Sequence, residues 1–155
     1  MIYEFIGTDR LKPARLAELS LLFAQLNLSR ADKSSTPKPL CESDVRRCVD
    51  ENFFLVAADG QGETERFVGM GTLIVFRTIS GARGTIEHVA VDPAFRRQGI
   101  AEAVVNRLLE EARTQGCRYI DLTSHARREA ANHLYQKIGF ERRETNHYRF
   151  MLKQS

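Results

Sequence analysis

Residues 89–101 have the types and spacing of an anion-binding turn. An apolar run ends at Asp92-Pro93, and the basic turn Arg96-Arg97-Gln98 then leads through Gly99 into a long helical pattern. The first amides of a helix have no acceptor within it and carry partial positive charge, so they bind anions such as phosphate. Gly99 lets the backbone approach a ligand closely, and arginines add charge-assisted hydrogen bonds. The chemistry expected here is phosphate binding.

An ordinary strand-to-helix connection with solvated arginines would show much the same pattern, because a single glycine after a strand is a weak signal. The sequence contains neither G-x-x-x-x-G-K-[ST] nor G-x-G-x-x-G, two better-defined phosphate motifs. The pair Gly69-Met70-Gly71 lies inside a predicted strand and lacks a third glycine. It therefore indicates a bulge or close packing.

Two segments resemble the GNAT superfamily of acyl-CoA-dependent N-acyltransferases. Arg96-Arg97-Gln98-Gly99-Ile100-Ala101 fits the [Q/R]-x-x-G-x-[G/A] motif of that family, and the stretch from Ala131 to Phe140 is similar to its A-x-x-L-Y-x-K-x-G-F segment. The resemblance implies a single N-acetyltransferase domain over residues 1–155, with acetyl-CoA as cosubstrate and no metal. It implies that the amides from Arg97 to Glu102 hold the pyrophosphate and that the pantetheine arm pairs with the preceding strand. The cofactor-binding residues implied are Val89, Ala90, Val91, Arg96, Arg97, Gln98, Gly99, Ile100, Ala101, Glu102 (with its carboxylate pointing away) and Asn132.

The resemblance also implies catalytic roles for an attack of an amine on a thioester. Tyr135 occupies the position of the general acid in many members, since a phenol has a pKa close to that of a thiol; packing on the sheet is its structural alternative. Glu87, two residues before Val89 and so on the same strand face, is the expected base, acting through water. His88 is the alternative base; it points to the other face of a regular strand, and a bulge would change that. A backbone N–H near Val89 would bind the oxyanion.

The sequence departs from the family pattern seven residues before Tyr135, where many relatives have an asparagine that contacts the cofactor and this chain has Arg128. Asn132 is the nearer amide and is expected to replace it. Arg127 and Arg128 would then be free to attract a CoA phosphate. The pair Ser124-His125 follows a predicted strand and either contacts substrate or forms an ordinary loop.

Strands and helices must position these residues. Apolar runs predict strands over 2–6, 53–58, 67–76, 84–91, 119–122, 140–144 and 147–152, and helical spacing predicts helices over 13–28, 43–51, 99–114 and 128–138. The resulting order is β-α-α-β-β-β-α-β-α-β-β. It predicts a mixed α/β domain: a six- to seven-stranded, mostly antiparallel sheet with a central parallel pair and helices on both faces.

Composition and charge exclude several classes of protein. The chain has 155 residues, of which 43% are hydrophobic, enough for one domain with its own core. No apolar run approaches the roughly 18–20 residues of a membrane span, and residues 1–5 lack the plan of a signal peptide. Cys41, Cys48 and Cys117 form no C-x-x-C pair, so we expect reduced thiols and a cytoplasmic protein. The net charge of +3 is dispersed, which does not favour nucleic-acid binding.

The sequence therefore predicts an acetyl-CoA-dependent N-acetyltransferase acting on a primary amine, of a small molecule rather than a protein. Loop 29–42, the strand near Glu87 and a hairpin around 145–148 are expected to form the acceptor site. The run Ile86-Glu87 with residues 89–92 is similar to the amino-sugar phosphate acetyltransferases, over too few residues to assign the acceptor. A non-catalytic acetyl-CoA sensor and an enzyme acting on a protein or peptide amino group are the alternatives. The resemblance also allows a homodimer, for which the C-terminal strands would supply an edge.

Overall fold

A five-stranded sheet is the centre of the molecule. The computed structural model describes residues 1–28 and 40–152. The strands are β1 (Ile2–Phe5), β2 (Phe53–Asp59), β3 (Arg66–Thr78), β4 (Gly81–Val91) and β5 (Ile120–Asp121). They lie in chain order across the sheet; β1 to β4 pair antiparallel, and β4 and β5 pair parallel.

Four helices cover the two faces of this sheet: α1 (Pro13–Leu28), α2 (Glu42–Glu51), α3 (Ile100–Thr114) and α4 (Glu129–Ile138). Leu19 and Leu22 of α1 and Val45 and Val49 of α2 pack on one face, in a cluster that includes Met70. The opposite face holds α3 and α4, which bury Val104, Val105, Leu108 and Tyr135 against Leu55, Val68 and Leu73. The mixed α/β class and helices on both faces are confirmed. In the described part of the chain, no helix is both long and apolar enough to span a membrane.

Close packing explains the glycine pair in β3. A methyl group at Gly71 would lie 2.8 Å from Val104 Cγ1 and 2.9 Å from Leu108 Cδ1, and one at Gly69 would lie 3.0 Å from Ile100 Cγ2. These contacts bring α3 directly onto β3, so the beginning of α3 stands beside the end of β4. The expectation of close packing is confirmed.

The parallel pair lies at the edge of the sheet, and it is short. Gly84 pairs with Ile120 and Thr85 with Asp121, after which the two strands separate. β4 continues to Val91, so its outer edge beyond Thr85 has no neighbouring strand among the described residues.

The prediction of six to seven strands with a central parallel pair was wrong in number and position. Residues 140–152 contain neither of the two expected strands, and Tyr148 and Phe150 are 86% and 88% exposed. An alternating pattern becomes a strand only where a neighbour supplies hydrogen bonds, and β5 offers an edge of two residues. Most of the loop expected over 29–42 lies outside the described residues.

Candidate active site

The backbone amides at the beginning of α3 have no hydrogen-bond acceptors among the described residues. Arg97 and Gly99 both have left-handed backbone, with φ of 62° and 78°. Gly99 caps the helix without a side-chain hydrogen bond. Within the described part of the chain, the amides from Arg97 to Glu102 donate to no backbone or side-chain acceptor, and the first to bond is Ala103, to Gly99 O. A methyl group at Gly99 would meet nothing within 4 Å among the described residues, so the space beside Gly99 is open there. The structure fits the expected pyrophosphate here.

Side chains around this turn hold it in place. Arg96 donates to Gln25 Oε1 of α1 at 3.2 Å and to Val91 O at 3.4 Å, which joins the turn to α1 and to the end of β4. Glu102 accepts a hydrogen bond from Lys137 of α4 at 2.7 Å. Its carboxylate is therefore engaged by α4, as expected for an acid beside an anion site.

The open edge of β4 leads from this turn toward the middle of the sheet. An extended amide-bearing chain could pair with it as a further strand would. The hydroxyl oxygen of Ser124, just past the end of β5, is buried and has no hydrogen-bond partner within the described part of the chain. A buried hydroxyl without a partner is costly, so Ser124 is suited to bind a polar group of a ligand.

A β-bulge in β4 decides which side chains face α1 and α2. Thr72 pairs with Glu87 and Met70 with Ala90, so Gly71 stands opposite both His88 and Val89. His88 absorbs the extra residue with left-handed backbone, φ 57°. Val89 packs with the α3 cluster, whereas Ala90 packs with the α1–α2 cluster.

The prediction that Glu87 and Val89 share a face was therefore wrong. The extra residue changes the alternation, and Glu87 shares the face of its partner Thr72, toward α1 and α2. His88 points to the same side, and its ring lies 5.8 Å from that of Phe23 in α1. Both candidate bases thus face the same side of the sheet.

Tyr135 lies on the opposite side of β4 from these two residues. It is 7% exposed, and its ring meets that of Phe140 edge to face at 5.9 Å. Gly139, with φ 111°, ends α4 and turns the chain so that Phe140 returns onto Tyr135. Burial raises the pKa of Tyr135; the charge of Arg128 lowers it and that of Glu87 raises it. Tyr135 is thus both packed and held in its protonated form, and it lies within electrostatic range of Glu87.

Arg128 and Asn132 both make hydrogen bonds to backbone carbonyl groups. The guanidinium of Arg128 donates to Val89 O at 3.5 Å, across the gap beside β4. Asn132 donates its side-chain N–H to His125 O at 3.0 Å, which fixes the loop before α4. The cation at position 128 therefore lies beside Val89, a placement that the sequence pattern did not indicate.

Parts of the expected acceptor site come together on the α1–α2 side. Leu40 and Cys41, at the end of the predicted loop, line the same cavity as His88. Residues 145–148 are not part of that lining. Leu19, Phe23 and Met70 also line it, and sequence reasoning missed them because their spacing marks only a buried face. No cluster of His, Cys, Asp and Glu suited to a metal ion occurs in residues 1–28 and 40–152.

The geometry agrees with comparisons to known proteins. A family model described as the acetyltransferase (GNAT) family matches residues 22–140, which include both motif segments. The chain belongs to this family. As a GNAT protein it is an acetyltransferase, and its cosubstrate is acetyl-CoA.

Relatives support the assignment in sequence and in fold. Glucosamine 6-phosphate N-acetyltransferase 1 of rice (Oryza sativa subsp. japonica) is 35% identical over 118 residues, or 70% of this chain and 68% of that protein. The crystal structure of a Trypanosoma brucei acetyltransferase gives a TM-score of 0.70 at 25% identity, covering 97% of this chain and 100% of that one. An aminoglycoside acetyltransferase from an uncultured soil metagenomic sample gives 0.75 at 18% identity, covering 98% and 96%.

Proposed function

We propose that this GNAT protein is a single-domain N-acetyltransferase that moves the acetyl group of acetyl-CoA onto the primary amine of a small molecule, by direct attack in a ternary complex. The observation that carries the proposal is the meeting of two backbone surfaces: the amides at the start of α3, which have no acceptor among the described residues, and the edge of β4 beyond Thr85, which has no neighbouring strand among them. One fits a pyrophosphate and the other an amide-bearing chain, and acetyl-CoA contains both.

In the proposed reaction, the amine nitrogen forms a bond to the thioester carbonyl carbon, and the carbon–sulfur bond then breaks. Glu87 takes the proton of the amine through a water molecule. The N–H of Val89 binds the oxyanion, and Tyr135 gives its phenolic proton to the leaving thiolate. Because burial raises the pKa of Tyr135, the phenol keeps that proton at neutral pH until the thiolate forms.

The two sides of β4 separate the proposed acid from the proposed base. Glu87 faces α1 and α2 through its pairing with Thr72, whereas Tyr135 is buried with the α3 cluster. A proton can then leave the amine on one side while another reaches the sulfur on the other. His88 lines the acceptor cavity and is the second candidate for the base.

Relatives support a small-molecule acceptor for this chain. Three curated relatives with 32–36% identity are named as glucosamine 6-phosphate N-acetyltransferases. Their acceptor is an amino sugar, and the acceptor proposed here is likewise a small primary amine. We place the enzyme in the cytoplasm, where its free thiols Cys41, Cys48 and Cys117 would stay reduced.

The proposal includes a homodimer. Tyr148, Phe150, Met151 and Leu152 are each at least 76% exposed and follow one another along the C-terminal segment. A second copy would cover this apolar stretch. Light scattering at increasing protein concentration should give twice the mass of the 155-residue chain; the mass of a single chain at every concentration would contradict the dimer.

Ligand binding and turnover test the proposal separately. Thermal unfolding with acetyl-CoA, CoA, ATP and NAD should show stabilisation by the two CoA species; a ligand at 100 times its Kd adds about 2.7 kcal/mol. Mass spectrometry should then detect an acetylated amine and free CoA. Stabilisation without transfer to any amine of a broad panel would instead favour a sensor, and no stabilisation by CoA would contradict the proposed site.

A further inference from the structure

A partly enclosed cavity of about 250 Å³ lies between α1, α2 and the sheet. Its wall is almost entirely apolar, with two cysteines, one carboxylate and one imidazole among the described lining residues. The apolar side chains that line it are Leu19, Phe23, Leu40, Val45, Phe54 and Met70.

The cavity adjoins the proposed reacting centre. His88 forms part of its wall and directly precedes Val89, whose amide is the proposed oxyanion donor. Because the bulge turns His88 toward α1, the cavity opens on the acceptor side of β4. An amine placed beside His88 would have the rest of its molecule within this cavity.

The charge on the described lining of the cavity favours a cation over an anion. Asp44 is the only carboxylate that lines it, and no Lys or Arg does so among the described residues. Asp44 is exposed on the first turn of α2, so its charge favours entry of an ammonium ion and opposes entry of a phosphate. Sugar hydroxyls placed against the apolar wall would lose their hydrogen bonds to water.

The volume of the cavity limits the size of the apolar group that the acceptor can place in it. An apolar cavity of about 150 Å³ holds one benzene molecule, so 250 Å³ accommodates one ring with a short alkyl chain. We propose that the acceptor is a primary amine carrying a single aromatic ring or a branched alkyl group, which fills the cavity between α1 and α2, and that sugar phosphates are poor acceptors. This inference rests on the proposed acetyl transfer and departs from the acceptor for which the rice relative is named.

Three amines test the substrate class: 2-phenylethylamine, ethylamine and glucosamine 6-phosphate. We expect kcat/KM for phenylethylamine to exceed that of each of the others by about 100-fold, the effect of burying one ring. A higher kcat/KM for glucosamine 6-phosphate would overturn the inference while leaving the proposed function intact. Failure of acetyl-CoA to bind would instead overturn the proposed function.

A charge reversal with a matched control tests the cavity itself. Asp44→Lys should raise KM for phenylethylamine about 5- to 10-fold at low salt and leave KM for acetyl-CoA unchanged. Asp50→Lys is the control, since Asp50 is exposed on the same helix and does not line the cavity. Equal effects of the two variants on KM would overturn the placement of the acceptor.

Alkylation of Cys41 reports occupancy without turnover. Cys41 lines the cavity and is exposed, so bound phenylethylamine should slow its reaction with iodoacetamide several-fold, followed by peptide mass spectrometry. Glucosamine 6-phosphate at the same concentration should leave the rate unchanged. Protection by the sugar phosphate and not by phenylethylamine would overturn the inference even if the protein transferred no acetyl group.

Discussion

The proposed sites on the two faces of the sheet around β4 are built from different groups, mainly backbone on one face and side chains on the other. On the side of α3 and α4, the proposed cofactor site consists mainly of backbone groups: the amides from Arg97 to Glu102 and the edge of β4 beyond Thr85, which no described strand covers. On the side of α1 and α2, the proposed acceptor site consists of side chains from both helices and the sheet, most of them apolar.

This difference separates the proposed cofactor site, which the family shares, from the proposed acceptor site, which is particular to one member. A backbone site needs only glycine, small residues and a helix start in the right order, so it appears as a motif. A cavity of apolar side chains can change its shape by single substitutions that leave the core pattern intact. The relatives' names therefore support acetyl transfer more strongly than they support a particular acceptor.

Tyr135→Phe should have the largest effect, because it removes the proposed acid and keeps the ring that packs on Phe140. We expect kcat to fall at least about 100-fold, with unchanged acetyl-CoA affinity measured by calorimetry. Tyr119→Phe is the matched control, since Tyr119 is 54% exposed and just precedes β5. Full turnover of Tyr135→Phe would assign Tyr135 to packing alone.

The next comparison is between Glu87 and His88, which both face α1 and α2. Glu87→Gln should lower kcat about 100-fold, because the amide cannot accept the proton. His88→Gln should act mainly on the KM of the amine, since His88 lines the cavity. A larger fall in kcat for His88→Gln than for Glu87→Gln would make His88 the base.

Gly99→Ala tests the proposed pyrophosphate site, and Gly116→Ala is a control with similar backbone strain. Gly99 and Gly116 have φ of 78° and 72° and open space in front of each, so alanine should cost both variants about 1 kcal/mol of stability. Only Gly99→Ala should also weaken acetyl-CoA binding, about tenfold, because its methyl group would stand where the phosphates approach. Equal affinities of the two variants for acetyl-CoA would contradict the placement of the pyrophosphate.

The smallest effect concerns the two thiols of the acceptor cavity. A hydrogen bond with Ser43 and nearby backbone amides lower the pKa of Cys41, whereas burial raises that of Cys48. Because the thiolate is the reactive form, Cys41 should reach half of its maximal alkylation rate below pH 9 and Cys48 above it. Peptide mass spectrometry across a pH series, with Cys41→Ser as control, checks this order. Faster reaction of Cys48 at neutral pH would contradict the described environments.

Much of the cofactor side could be predicted from the sequence, and two features near it could not. The helix start at Gly99 and the end of α4 at Gly139 follow from local patterns. The bulge at His88 left no mark in the sequence, because His88 is an ordinary residue for a strand and its left-handed backbone is set by pairing with β3. The contact of Arg128 with Val89 joins residues 39 positions apart and has no local signal.

The sequence by itself determined the order of the elements through β5 and α4 and the turn at Gly99 that begins α3, since short-range spacing and glycine positions control these features. Only the tertiary structure decided which side of β4 each residue faces, how many strands form, and what lines the acceptor cavity. The physical reason is that a single extra residue in β4 reverses the facing of Glu87 relative to Val89. The cavity, likewise, depends on how α1 and α2 pack on the sheet, and side chains far apart in the chain meet only there.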